Sequence, residues 1–146
     1  MKSLARWWLS GFGAGYVPVA PASWGSLVGV LLVWFMSTIS EGYRVVIWGG
    51  YFGVSLLCYW ILSPMEEMDP SWIVADEILA LLSIALIHPL GDWVGLASGY
   101  VFFRFWDIVK VYPMDISEKL PPPWGIFADD MVAAIYTLAC LMLLGS

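Results

Sequence analysis

The chain has 146 residues, 61% hydrophobic and 12% charged, with a mean hydropathy of +0.82. Soluble domains carry roughly 25% charged residues, so a bilayer is the simplest home for this one, and disorder is excluded by the wealth of apolar side chains. Six Lys and Arg against twelve Asp and Glu give a net charge of −6, which excludes nucleic acid as a partner, because a phosphate backbone needs a basic surface.

The length fits a single domain over residues 1–146. Cys58 and Cys140 sit in apolar runs, where a thiol is a small hydrophobe, and two cysteines make no disulfide framework or zinc site. No cleavable signal sequence is expected, since glycines interrupt the short apolar stretch after Arg6.

In chain order, residues 11–25 hold four glycines and two prolines and predict a loop. Residues 26–39 predict an apolar helix, EGYR at 41–44 a turn, and 45–62 a second helix. Its 18 uncharged residues reach about 27 Å, close to the ~30 Å hydrocarbon core of a bilayer. Asp69 followed by Pro70 reads as a helix start, and this helix runs to a break at residues 88–92. A further helix runs from Trp93 to Lys110. After a proline-marked loop, Asp129 and Asp130 open a last apolar helix over 131–144.

The expected fold class is therefore all-α. It is an integral membrane bundle of about five main helices, with a carboxylate-rich site at the cytoplasmic side. A cytoplasmic N-terminus puts Lys2, Arg6, Arg104, Lys110 and Lys119 inside and only Arg44 outside, as the positive-inside rule asks. Ten acids (Glu66, Glu67, Asp69, Asp76, Glu77, Asp107, Asp115, Glu118, Asp129 and Asp130) then fall inside, and only Glu41 and Asp92 outside.

Ionisable groups in or beside spanning helices are costly and usually tied to function. Asp76 precedes His88 by 12 residues and Arg104 follows Asp92 by 12, so each lies about 18 Å up its helix from the break. The hairpin thus brings Asp76 and Glu77 level with Arg104 and Asp107. Asp69 and Asp76, seven apart, share a helical face. Carboxylates converging from three helices repel one another unless a cation sits between them. Oxygen-only ligands favour Mg²⁺, with Mn²⁺ and Ca²⁺ as alternatives. Arg104 and Lys110 suit the charge of a phosphate. Ser23 and Ser26 stand in a glycine-rich stretch before a helix, where backbone amides can cradle one.

Plainer roles compete with these. Asp69 could be only an N-cap, Asp129 and Asp130 only partners of a helix dipole, and Arg104 with Asp107 only an i,i+3 ion pair. Glu66, Glu67 and Glu118 read as solvated loop charges, and His88 as an interfacial turn residue. Absences narrow the chemistry. A single His excludes phosphohistidine catalysis with a second His as acid, and there is no Cys-x5-Arg loop or strand-borne Asp-x-Asp. Water activated on a metal is the favoured nucleophile, with an aspartyl-phosphate as the alternative.

These motifs resemble the phosphatidylglycerophosphatase A family over residues 10–135. GFGAGYVPVAPASWGS is similar to its glycine-rich N-terminal motif, through Gly11, Gly13, Gly15, Pro18, Ala20, Pro21, Ser23, Gly25 and Ser26. DPSWIVADE resembles its Asp-x3-Ile-Val-x-Asp-Glu motif, at Asp69, Ile73, Val74, Asp76 and Glu77. FRFWDIVK resembles its Phe-Arg-x2-Asp-x2-Lys motif, at Phe103, Arg104, Asp107 and Lys110, and GIFADD its last motif, at Gly125, Asp129 and Asp130. Ala22, Val111, Pro122 and Pro123 depart from the family pattern, and the two prolines stiffen a loop that glycine would leave mobile.

The resemblance implies an all-helical, Mg²⁺-dependent enzyme of the bacterial inner membrane. It would hydrolyse phosphatidylglycerophosphate to phosphatidylglycerol and phosphate, facing the cytoplasm. On this reading Asp69, Asp76, Glu77, Asp107, Asp129 and Asp130 hold metal. Asp76, Glu77, Asp107 and Asp130 are also the catalytic candidates, and Arg104, Lys110, Ser23 and Ser26 contact substrate. Membrane lipids are the surroundings, and self-association is left open. Two alternatives stay open: a phosphatase of another lipid such as phosphatidic acid, and a non-catalytic cation-binding membrane protein.

Overall fold

The computed structural model describes residues 1–63 and 70–145. Among them are helices α1 (Lys2–Leu9), α2 (Pro21–Ser37), α3 (Glu41–Leu62), α4 (Ala75–Ile87), α5 (Trp93–Val109), α6 (Met114–Ser117) and α7 (Trp124–Leu144). A 3-10 turn covers Ala14–Tyr16, and no strand occurs among the described residues. The all-helical expectation holds. The set is larger than five, however, because the eight-residue α1 and the four-residue α6 join the longer helices.

Four helix starts differ from expectation, each for a local reason. Pro21 has its φ already set for a first helical turn, so α2 begins there and takes Gly25 and Ser26 into the helix. The EGYR segment is the first turn of α3, with Glu41 favourably placed near the positive end of the helix dipole. Helix α4 begins at Ala75 rather than at Asp69-Pro70. Residues 70–73 close a turn through Ile73 N to Pro70 O at 3.0 Å, and Val74 N donates to Leu9 O at 2.9 Å. Those bonds tie the segment to the end of α1 and spend its amides outside any helix. Helix α7 begins at Trp124, directly after Pro122 and Pro123. Asp129 and Asp130 therefore stand inside α7 rather than opening it.

Helix α4 is the centre of the bundle and packs on α2, α3, α5 and α7. Ile78, Leu79, Ala80, Leu81, Leu82 and Ile84 are buried on all sides, as an apolar-all-round helix should be. Its 13 residues make about 20 Å, short of the ~30 Å of a bilayer core. Helices α3 and α7, with 22 and 21 residues, are long and apolar enough to cross a membrane. Val45, Val46, Leu57 and Trp60 on α3, and Ile135, Met142 and Leu143 on α7, face outward. An apolar exterior of this extent marks a contact surface for lipid or for another protein.

The glycine-rich segment lies directly against the start of α4. A Cβ at Gly15 would fall 2.0 Å from Trp72 O, and one at Gly25 would fall 2.4 Å from Val74 Cβ. Only glycine leaves room for the Trp72 carbonyl at position 15 and for the Val74 side chain at position 25. The segment therefore positions the residues that lead into Asp76.

Candidate active site

The two ends of the bundle are distinct. At one end α2 meets α3, and Trp34 stacks on Trp93 at the start of α5, with centroids 6.4 Å apart. The opposite end gathers the start of α4, the end of α5 and the start of α7.

Asp76 and Glu77 lie in the first turn of α4, and Asp130 lies in the second turn of α7. One carboxylate oxygen from each falls within 4.8 Å of the other two. Glu77 is 7% exposed and Asp130 3%. Asp76 Oδ1, Glu77 Oε2 and Asp130 Oδ2 are buried with no hydrogen-bond partner. A buried charge without compensation costs several kcal/mol, so three clustered carboxylates, each with a buried oxygen that has no donor, call for positive charge between them. Hard cations with oxygen ligands, Mg²⁺ and Ca²⁺ foremost, fit that donor set.

Asp107, in the last turn of α5, reaches Asp130 with its side chain and lies within electrostatic range of Glu77. It also pairs with Arg104 one turn earlier. The hairpin expectation is thus met: Arg104 and Asp107 stand level with the acids of α4. Arg104 spends part of its guanidinium on Asp107, while its buried Nε has no hydrogen-bond partner.

Lys110 closes α5 in the left-handed conformation (φ 45°, ψ 61°), and its amide donates to Trp106 O at 2.9 Å. Its side chain lines a cleft of about 200 Å³. Asp76, Glu118, Leu120, Pro122, Gly125, Ile126 and Asp129 form the rest of its lining. Lys110 Nζ pairs with Glu118 and sits 3.4 Å from Asp129 Oδ2, whose other oxygen accepts from Asp130 N at 3.0 Å. Burial alone would lower the ammonium pKa. The hydrogen bond to Glu118 and the charge of Asp129 outweigh that and hold it well above its ordinary value.

The remaining expected residues lie as follows. Asp69, Glu66 and Glu67 fall outside the described residues. Ser26 is fully buried, and its hydroxyl donates to Ala22 O at 2.8 Å. Ser23 is half-buried near the start of α2, and its carbonyl accepts from Tyr100 of α5 at 3.5 Å. Glu118 is exposed, as expected of a loop charge, and it also lines the cleft and pairs with Lys110. An eight-residue separation across a proline-marked loop carries no signal of such a pair. Tyr51 of α3, hidden in an uncharged run, is buried within electrostatic range of Asp76 and Glu77.

Fold and site together define a helical membrane protein with a buried acid cluster opening into a cleft beneath one lysine. The sequence model of the phosphatidylglycerophosphatase A family matches residues 7–145, and the chain belongs to that family. It is 33% identical over 131 residues to the phosphatidylglycerophosphatase A of Haemophilus influenzae, covering 88% of this chain and 80% of that one. The Escherichia coli protein of the same name is 30% identical over 138 residues, covering 92% and 80%. A relative from Bacteroides thetaiotaomicron, provisionally named a phosphatidylinositol-3-phosphatase, is 28% identical over 137 residues, covering 88% and 85%. No solved structure matches the chain.

Proposed function

We propose that the chain hydrolyses phosphatidylglycerophosphate to phosphatidylglycerol and inorganic phosphate, with Mg²⁺ as cofactor. We place it in the bacterial cytoplasmic membrane with its cleft toward the cytoplasm. Family membership supports the reaction. The observation that carries the site is the trio of donorless oxygens on Asp76, Glu77 and Asp130 beside a cleft capped by Lys110.

Asp76, Glu77 and Asp130 would hold the ion, with Asp107 and Asp129 around it and Asp69 as a further ligand. Bound there, Mg²⁺ neutralises phosphate oxygens and makes water a nucleophile at neutral pH. Lys110 offers its ammonium to the phosphate, exchanging Glu118 for the incoming anion; at 40% exposed it is within reach of substrate. Arg104 holds Asp107 in place. Half-buried Ser23 remains a candidate for a contact to phosphate or glycerol, whereas Ser26 is fully buried with its hydroxyl on Ala22 O and is set aside. The reaction balances simply: a water oxygen joins phosphorus, the bond from phosphorus to the glycerol oxygen breaks, and that oxygen takes up a proton.

Phosphate release from phosphatidylglycerophosphate by the protein in detergent tests this reading. Release should require Mg²⁺, stop on chelation and return when the ion is restored. Asp76→Asn should lower the rate by about 10²-fold or more, the scale of a lost acid–base or charge-stabilising group. Undiminished turnover by that variant would overturn the assignment.

The name of the Bacteroides relative favours one second reading, in which the same site serves another phosphorylated lipid. Parallel assays of phosphatidylglycerophosphate, phosphatidic acid and phosphatidylinositol 3-phosphate decide between them by kcat/KM.

A further inference from the structure

Beside the cleft under Lys110 lies a second depression of about 430 Å³. Trp48 and Phe52 of α3, Leu120, and Trp124, Phe127 and Ala128 of α7 form most of its walls. Every one of these side chains is apolar, and the volume suits a small-molecule site. Leu120 belongs to both depressions, lining the polar cleft on one side and the apolar groove on the other. The walls are firmly set. Phe52 meets Phe127 edge-on at 5.7 Å, and the Trp48 indole donates to Ser83 Oγ at 2.7 Å. The groove runs between α3 and α7, the two helices long enough to cross a membrane, and half-exposed Trp124 and Leu120 stand at its rim.

We propose that this groove seats the first methylenes of one acyl chain of a phosphomonoester lipid whose phosphate lies beneath Lys110. Only an amphiphile with an anionic head and an alkyl tail matches both sides of Leu120. Free phosphate or glycerol phosphate fills the cleft and leaves the groove empty. An apolar helix from a second copy fills the groove and brings no anion to Lys110. The inference rests on the lipid-phosphatase reading for its head group and adds a tail subsite to it. Recognition then depends on the phosphate and on the apolar chain next to it, which separates membrane substrates from soluble phosphate esters.

Photocrosslinking tests the proposal. Phosphatidic acid and phosphatidylglycerophosphate, each with a diazirine close to the ester end of one acyl chain, are compared with an identically labelled phosphatidylcholine in nanodiscs. The phosphomonoester lipids should label residues 120–131 in preference to 135–144 of the same helix, while phosphatidylcholine should label both stretches alike. Ala128→Trp fills the groove and should cut the preferential label about tenfold, the worth of roughly two methylenes no longer buried. Ala128→Leu should give a smaller cut in the same direction. Even labelling by all three lipids would overturn the groove, even where phosphate release is normal. Preferential labelling without phosphate release would support the groove and count against the catalytic reading.

Discussion

Where α2 runs into α3, the charged side chains are met by backbone. Arg44 Nε donates to Met36 O and Ile39 O, both at 3.0 Å, and Nη2 donates to Ser37 O at 3.3 Å. Asp92 Oδ1 accepts from Gly95 N at 2.7 Å and caps α5. At the other end, Asp76, Glu77 and Asp130 cluster their carboxylates, and each keeps one buried oxygen with no hydrogen-bond donor. The first end is complete as a folded object, since its charges answer the open ends of helices. The second end is complete only with something added. Both ends carry acids, so acidity alone does not mark a site; the marker is whether the backbone has already answered it.

Four substitutions break or sharpen this contrast. Asp130→Asn should have the largest effect, lowering phosphate release by about 10²-fold or more. Measured without divalent cations, its thermal midpoint should hold or rise, because one uncompensated buried charge is gone. A fall in midpoint with activity intact would mean that the acid end is built like the other. Gly25→Val drives a branched side chain into Val74, which already stands 2.4 Å from an added Cβ. It should cost about 3 kcal/mol in denaturant unfolding and lower turnover by displacing the entry to α4. Arg44→Ala removes a charged cap from three carbonyls and should cost about 2 kcal/mol, with turnover per folded molecule unchanged. Asp92→Ala is the smallest, about 1 kcal/mol for a lost N-cap, again seen in unfolding and not in kcat.

The sequence showed the helical class, the hairpin and most of the acid cluster, because charge in an apolar chain is conspicuous and helical rise is fixed. It placed helix starts less well. Asp69-Pro70 is a sound local start signal, yet the bond from Val74 N to Leu9 O overrides it, and nothing in residues 69–76 announces a partner 65 positions earlier. Pro122 and Pro123 carried the true start of α7, but the acid pair at 129–130 drew the boundary to itself. The glycines at 15 and 25 read naturally as a phosphate cradle. Their use against Trp72 and Val74 is a matter of tertiary distance, which spacing cannot express. The pairing of exposed Glu118 with Lys110 escaped the sequence for the same reason, since a turn and not a helical repeat brings the two together.

Lys110 holds a turn that glycine would adopt with about 1–2 kcal/mol less strain. The ammonium over the cleft is therefore bought with backbone comfort. Screens for heat tolerance and screens for turnover would pull this one position in opposite directions. The first would favour a hardier chain that handles its anionic lipid poorly, and the second would keep the lysine.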